Sequence, residues 1–391
     1  MNADKKTTPS RREGVAHENL NRRDFLATSG VIALANTLGN SVRMKSRSRP
    51  LTGEPPKSAA APNAQHIIID TDPGVDDAIA ILLALRSPEL KVEAITPVCG
   101  NVPLELTLPN ALRLVEIAGR TDIPVAAGAS HPLIRRLVTA RYAHGNNGLG
   151  GVDFPGPTTK PARETANEII SRIIRESPGE ITIVALGPLT NIATVLRSDP
   201  EIAGMVRGIA LMGGSLSGGN ITPSAEFNFY VDPEAARIVF DSHIPLTMVG
   251  LDVTRKVLLR EDHVQQLEAV KNPVSQAVGR IMRATIERLR TGRDAPAVAM
   301  HDPLTVASLI DPAMLMLRDY YVEIETSGEW SAGESVGYQR APVRKSAPLE
   351  TSDPEPPESA QTFTPNAKVA MEVDPERFFR LLIPRLTGSA V

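Results

Sequence analysis

Four aspartates lie within eight residues of this chain, directly after an apolar run. The run is Ile67–Ile69, and the acidic segment that follows it, Asp70–Asp77, has the sequence DTDPGVDD. Carboxylates this crowded repel one another inside a folded protein unless a cation neutralises them. A helix N-cap would use one aspartate and leave the other three unexplained. Hard oxygen ligands in this number favour calcium or magnesium over zinc or copper, so the segment predicts a site for a divalent cation.

The acidic segment requires a strand before it and a helix after it. Pro73 and Gly74 supply a tight turn, so Asp76 and Asp77 fall in the first turn of a helix, where the helix dipole favours their ionised forms. Further along, short β-branched runs alternate with longer runs of helical period. Strands are predicted at 66–70, 91–98, 180–185, 207–212 and 245–249, and helices at 75–85, 103–118, 163–176, 189–196 and 233–240.

Strands and helices in alternation predict an α/β fold with a mostly parallel central sheet flanked by helices. Ligands of such folds bind at the carboxyl ends of the strands. A strand at 368–373 and a helix at 375–386 are expected to close a domain that spans 65–391. Clusters of Pro, Ser, Glu and Gly near 330–365 predict an exposed loop within it.

The acidic segment resembles the DxDPGxDD signature of the inosine-uridine nucleoside hydrolase family. Six further segments are similar to motifs of that family and come in the same order: Val98–Asn101, Ala143–Gly150, Ala185–Asn191, Leu211–Gly214, Ala225–Ala235 and Met300–Pro303. The resemblance covers roughly residues 66–325. It implies a Rossmann-like core and an enzyme that hydrolyses the N-glycosidic bond of ribonucleosides to give ribose and a free nucleobase.

By this resemblance, Asp72, Asp77 and Asp302 would be the side-chain ligands of a calcium ion, with Asp77 bidentate, and the main-chain oxygen of Leu186 a further ligand. One water and the ribose 2′ and 3′ hydroxyls would complete the seven or eight oxygens that calcium accepts. Asp76 would be the general base for the attacking water. Neighbouring side chains of a helix diverge by about 100°, so Asp77 can face the metal while Asp76 faces the water.

The resemblance also implies how substrate is held. Four residues match the family's ribose-holding positions, where amide and carboxylate groups meet hydroxyls as donors and acceptors: Asn101, Asn220, Glu226 and Asn228. His301, beside Asp302, would protonate the leaving base. His144 would contact the base or the 5′ region, from a glycine-rich loop that is expected to close over substrate.

The preferred base is indicated by the aromatic residues. The only tryptophan, Trp330, lies beyond the matched segments. Stacking on the base would therefore fall to Tyr142, Phe229 or Tyr230. This pattern favours a pyrimidine or mixed preference over a purine preference.

The first 40 residues have the form of a twin-arginine export signal. Arg22 and Arg23 precede Phe25, Leu26 and a short apolar run at 27–38. This run is far below the roughly 20 residues that span a bilayer, so no stable membrane span is expected. Residues 41–64 are predicted to form a disordered linker. Together these features predict export by the twin-arginine machinery to a periplasmic or otherwise exported location.

Composition narrows the possible partners. The net charge of −3 and the pI near 6.2 provide no basic field, so no nucleic-acid partner is expected. Cys99 is the only cysteine, which excludes an internal disulfide and a thiolate zinc cluster. The expected ligand is a small-molecule ribonucleoside, and the family resemblance suggests a homodimer or homotetramer.

Two alternative functions are open at this point. The first is a phosphatase of the haloacid dehalogenase type, in which Asp70 and Asp72 would supply nucleophile and acid; it leaves Asp77 and the residues 226–228 unexplained. The second is an exported nucleoside-binding protein that keeps the fold without turnover. The intact set of proposed catalytic positions argues for activity.

Overall fold

The computed structural model describes residues 61, 63–290, 296–339 and 364–388. The predicted export signal at 1–40 and almost all of the predicted linker at 41–64 lie outside these residues. None of the helices among the described residues combines the length and the hydropathy that a membrane span requires.

Ten strands and twelve α-helices make up the described part. The strands are β1 Gln65–Thr71, β2 Leu90–Pro97, β3 Thr182–Ala185, β4 Gly208–Met212, β5 Leu246–Val249, β6 Leu258–Leu259, β7 Val298–Ala299, β8 Leu315–Ile324, β9 Ser335–Tyr338 and β10 Ala367–Val373. The helices are α1 Val75–Leu85, α2 Leu104–Ile117, α3 Arg141–His144, α4 Ala166–Glu176, α5 Thr190–Ser198, α6 Phe227–Val231, α7 Pro233–Phe240, α8 Leu251–Thr254, α9 Glu261–Glu268, α10 Pro273–Leu289, α11 His301–Ile310 and α12 Pro375–Thr387.

Eight strands form one sheet in the order β2-β1-β3-β4-β5-β10-β8-β9. From β2 to β10 every neighbouring pair is parallel, whereas β8 runs antiparallel to β10, and β9 to β8. The predicted α/β fold with a mostly parallel sheet is confirmed. Strands that are covered on both faces must be apolar throughout, and β1 follows this rule. Ile67 and Ile69 belong to the core on one face of the sheet, and Ile68 to the core on the other.

The order of the strands identifies where a ligand can bind. The chain passes from β1 to β2 on one side of β1, and β3 then pairs with the other side of β1. This reversal opens a crevice beyond the carboxyl ends of β1 and β3. Asp72 follows β1, and Leu186 follows β3. The acidic segment therefore lies at the topological switch point of the sheet.

The structure departs from the sequence prediction in three ways. Part of the predicted loop at 330–365 is strand β9, which pairs with β8; residues 340–363 lie outside the described residues. The helices that were not predicted are α3, α6, α8, α9, α10 and α11, and the strands that were not predicted outside that loop are β6, β7 and β8. Most other boundaries differ from the prediction by one to three residues, and α1 and α7 match it at both ends.

Candidate active site

Two distant parts of the chain bring three carboxylates together. Asp76 and Asp77 lie in the first turn of α1, and Asp302 lies in the first turn of α11. All three are buried, and one carboxylate oxygen of each lies within 4.8 Å of one oxygen of each of the others. The predicted convergence of Asp302 with the acidic segment is confirmed.

Asp77 is held by four hydrogen bonds. Its Oδ1 accepts from the Thr71 hydroxyl at 2.6 Å and from the backbone N–H of Asp72 at 3.3 Å. Its Oδ2 accepts from the backbone N–H of Gly74 at 2.9 Å, which caps the start of α1, and from the Asn101 amide at 2.9 Å. A buried carboxylate that is fixed in this way keeps one orientation, as a metal ligand requires.

Asp72 is confined between two glycines. A Cβ added at Gly100 would lie 2.0 Å from Asp72 Oδ2, and one at Gly187 would lie 2.7 Å from Oδ1. The Oδ2 atom accepts from the backbone N–H of Asn101 at 2.6 Å, whereas Oδ1 is buried and has no hydrogen-bond partner among the described residues. A buried anionic oxygen without a partner is costly, and a bound cation would satisfy it.

Asp70 lies beneath the cluster and is fully buried. Its Oδ2 accepts from the Thr96 hydroxyl at 2.6 Å and from the Asn191 amide at 2.8 Å. Burial raises the pKa of Asp70 to about 7, although these two hydrogen bonds oppose the shift. A fully buried side chain cannot act as the exposed nucleophile that the phosphatase alternative requires.

The cluster is electrostatically strained without a counter-ion. Burial raises the pKa of Asp76 to about 7, and repulsion from Asp77 adds to the effect. The pKa values of Asp72 and Asp302 are raised well above their ordinary range, first by burial and then by the neighbouring carboxylates. A divalent cation would reverse these shifts because it favours every ionised form. The donor set consists of oxygens only, so the residues present fit a hard cation such as Ca²⁺.

Asp76 faces both the cluster and the glycine-rich loop. Its Oδ2 lies 3.5 Å from the backbone nitrogen of Asp302, and its Oδ1 lies 3.9 Å from His144 Nδ1. The same ring nitrogen accepts from the backbone N–H of Val75 at 3.0 Å, so His144 Nδ1 is unprotonated. Burial, followed by the nearby Arg288 guanidinium, lowers the pKa of His144 to about 3. His144 is therefore a neutral ring that joins the loop to the start of α1.

The loop itself has an unusual backbone. Gly145, Gly148, Gly150 and Gly151 all have positive φ angles, which only glycine adopts without strain. Arg288, near the end of α10, donates to the carbonyl of Gly150 at 2.9 Å and to that of Ala143. One guanidinium thus holds both ends of the loop.

His301 is positioned from a different element. Its Nδ1 lies 2.7 Å from the hydroxyl of Thr254, at the end of α8. Burial, followed by the neighbouring His144 and Arg255, lowers the pKa of His301 to about 4. His301 directly precedes Asp302 in the first turn of α11, the helix that contributes one carboxylate to the cluster.

The four predicted ribose-holding residues have different environments. Asn101 bridges Asp72 and Asp77 through its backbone and side chain. Glu226 accepts backbone N–H bonds from Gly214, Asn228 and Phe229, which caps α6, and burial raises its pKa to about 7. The side-chain oxygen of Asn220 is buried and has no hydrogen-bond partner among the described residues.

Asn228 hydrogen-bonds to the carbonyl of Leu186, which is the predicted main-chain ligand. Its Nδ2 donates to the carbonyl of Leu186 at 2.9 Å and to that of Met212 at 3.1 Å. The Leu186 oxygen keeps a second lone pair for another partner. Asn228 therefore orients the main chain after β3 and joins it to the main chain after β4.

One of the three aromatic residues that were expected to stack on the base does not lie where it could do so. Phe229 is fully buried and packs edge to face against Phe240, with ring centroids 5.7 Å apart. It is a core residue and cannot stack on a nucleobase. Tyr142 is 44% exposed, and Tyr230 is partly buried on α6. These two tyrosines remain the candidates for contact with the base.

Several supporting residues were not predicted as part of the site. They are Thr96, Asn110, Asn191, Thr254, Arg255 and Arg288. Only Asn191 lay within a recognised motif. Thr96 is the one other supporting residue that the sequence could have identified, because a polar residue in an otherwise apolar strand is unusual.

Comparison with known proteins agrees with this geometry. The family model described as inosine-uridine preferring nucleoside hydrolase matches residues 67–380. The pyrimidine-specific ribonucleoside hydrolase RihA of Escherichia coli O8 (strain IAI1) is 42% identical over 322 residues, which cover 82% of this chain and 97% of that protein.

Solved structures agree as well. The structure of the plant nucleoside hydrolase PpNRh1 matches with a TM-score of 0.73 at 35% identity. The match covers 83% of this chain and 99% of the plant chain. The purine-preferring ribonucleoside hydrolase from Gardnerella vaginalis has a TM-score of 0.73 at 31% identity, with the same coverage. These matches exclude the phosphatase alternative. The chain is an N-glycosyl hydrolase and belongs to the inosine-uridine preferring nucleoside hydrolase family.

Proposed function

We propose that this enzyme is a calcium-dependent hydrolase that cleaves ribonucleosides to ribose and free base. One observation carries the proposal: buried carboxylates from α1 and α11 converge, and beside them Asp72 presents an oxygen without a hydrogen-bond partner. Such an arrangement is unstable as a structural feature alone, because three like charges repel in a buried setting. A bound divalent cation removes that cost.

The ligands of the ion would be Asp72, Asp77, Asp302 and the carbonyl of Leu186. When bound, calcium would orient the ribose diol and make the attacking water more acidic. The protein contributes rigidity. The hydrogen bonds of Asp77 and the glycine walls around Asp72 hold the carboxylates in place before the ion arrives.

Asp76 would take the proton of the water that attacks C1′ of the ribose. Asp76 lies within the carboxylate cluster, and a bound cation would keep its side chain ionised, which is the form that a general base needs. The electrons of the C1′–N bond pass to the base, whose nitrogen or oxygen would receive a proton from His301. Burial lowers the pKa of His301 to about 4, so the ring is neutral at pH 7 in the free protein and would take up this proton before delivering it. Negative charge on the surrounding carboxylates favours the oxocarbenium-like sugar of the transition state.

A pyrimidine preference is part of the proposal. The relative RihA carries the description pyrimidine-specific and is 42% identical to this chain. The only tryptophan, Trp330, is 82% exposed, so it offers no buried stacking surface. Tyr142 and Tyr230 would contact the base instead.

We also propose that the enzyme is exported by the twin-arginine machinery and acts in the periplasm as a homodimer or homotetramer. The paired arginines and the short apolar run support export. Fractionation of cells that express the wild type or an Arg22→Lys, Arg23→Lys double variant tests it: the variant should be retained inside. Light scattering of the purified protein measures the oligomeric state.

The central experiment is an assay of the purified enzyme against a panel of ribonucleosides, with ribose release measured before and after exhaustive chelation. Uridine and cytidine should have higher kcat/KM values than inosine. Chelation should abolish turnover, and calcium should restore it. Full activity after verified removal of all divalent ions would contradict the metal assignment.

A second experiment tests the role of Asp76. Asp76→Asn should lower kcat by about 10²- to 10⁴-fold, the usual contribution of a general base. Binding of a nucleoside, measured by calorimetry in the presence of calcium, should persist. Retained turnover would exclude Asp76 as the base, and a wild type that binds nucleosides without turnover would support the binding-protein alternative.

A further inference from the structure

A single short helical turn contacts two parts of the active site. Helix α8 is only four residues long, and it is followed by Arg255. Its end reaches His301, and its other polar groups reach the loop that carries Asn220. The proposed mechanism gives none of these α8 residues a role.

The contact with His301 is made by Thr254. This residue is fully buried, and its hydroxyl oxygen lies 2.7 Å from His301 Nδ1. A hydroxyl can donate to an unprotonated ring nitrogen or accept from a protonated one, so the contact can persist in either state. With Nδ1 engaged by the protein, Nε2 is the ring nitrogen left to meet a ligand.

The rest of the turn is anchored firmly. The backbone N–H of Leu251 donates to the carbonyl of Gly214 at 3.0 Å, and Asp252 Oδ2 accepts from the backbone N–H of Leu216 at 3.0 Å. Arg255 donates to the carbonyls of Gly218 and Gly219. These bonds fix α8 against the loop that follows β4. Thr254 is therefore presented to His301 from a rigid support.

We propose that Thr254 is a positioning residue for hydrolysis, which holds the His301 ring so that Nε2 is available to the leaving base. The inference rests on the proposed role of His301 as the acid. Without the hydroxyl, the ring could rotate or adopt the other tautomer, and the proton would be delivered poorly. Among the described residues, no hydrogen bond joins the Thr254 hydroxyl to a carboxylate of the cluster, so metal binding should not depend on it.

Four variants and two substrates test the proposal. Thr254→Val removes the hydroxyl and keeps the shape, and Thr254→Ser keeps the hydroxyl. If the valine variant folds poorly, the difference in kcat between Thr254→Ala and Thr254→Ser measures the effect of the hydroxyl alone. Thr305→Val is the matched control, since Thr305 is fully buried in α11, the helix of His301, and its hydroxyl has no hydrogen-bond partner among the described residues. The substrates are uridine and p-nitrophenyl riboside, whose leaving group departs without protonation.

The valine variant should lower kcat for uridine by about 10- to 100-fold, while KM and the turnover of p-nitrophenyl riboside change little. The serine variant and the Thr305 control should behave like the wild type. Equal losses on both substrates, or no loss on uridine, would overturn the role of Thr254. If the wild type itself failed to hydrolyse uridine but cleaved p-nitrophenyl riboside, the proposed substrate would be wrong instead.

Discussion

Gly100→Ala is the most direct test of the proposed metal site, because it changes no ligand. The added methyl would lie 2.0 Å from Asp72 Oδ2 and 2.8 Å from Asp72 Cγ. Ordinary van der Waals contact begins at 3.4 Å, so the carboxylate must move by about 1.4 Å. The opposite side of Asp72 is closed by Gly187. The side chain therefore cannot retreat without disturbing the main chain after β3.

The size of the effect follows from two local costs. Overpacking of a close contact costs about 1–3 kcal/mol. The 2.6 Å bond from the backbone of Asn101 to Asp72 would also be distorted, and such bonds to charged groups contribute about 1.5–3 kcal/mol. Displacement of a metal-site carboxylate by this amount should weaken calcium binding by about 10- to 100-fold.

The measurement is a calcium titration of metal-stripped enzyme, by calorimetry and by recovery of uridine hydrolysis in chelator-buffered calcium. Gly204→Ala is the control, because a Cβ at Gly204 would meet nothing within 4 Å. Saturating calcium should restore much of the activity of Gly100→Ala. A folded Gly100→Ala enzyme with the calcium affinity of the Gly204 control would refute the placement of Asp72 as a ligand.

Three further outcomes are expected. Asp302→Asn should weaken calcium binding yet raise the melting temperature of the chelated protein, because it removes one of the repelling carboxylates; a lower melting temperature in chelator would contradict this. The chelated wild type should lose stability as the pH rises from about 4 to about 7. This follows because the pKa values of Asp70 and Asp76 are raised from 3.8 to about 7, so the folded state holds protons that the unfolded chain releases. In thermal melts, calcium should therefore stabilise the protein more at pH 8 than at pH 5. Arg288→Gln should raise KM for uridine more than it lowers kcat, because the glycine-rich loop loses its attachment to α10; steady-state kinetics with an unchanged KM would argue against that attachment.

The local part of the site was predictable from the sequence. A strand, a tight turn at Pro73 and Gly74, and a helix from Val75 to Leu85 are encoded by neighbouring residues, and the structure has that helix with the predicted bounds. Crowded aspartates imply a cation for reasons that hold in any fold. The parallel sheet also followed from the alternation of elements, because a right-handed crossover leaves few other arrangements.

Contacts between distant segments were decided only by the tertiary structure. The residues around Thr254 in the sequence do not indicate that its hydroxyl contacts His301. Likewise, the residues around Arg288 do not indicate that it hydrogen-bonds to a loop more than a hundred residues away. Phe229 belongs to a recognised motif, yet its side chain faces the core, and strand β9 forms within a stretch whose composition predicted a loop. Residue type and spacing report the backbone geometry of a few neighbouring residues. Which side chains then meet depends on how helices and strands pack, and that packing is set by the whole chain at once.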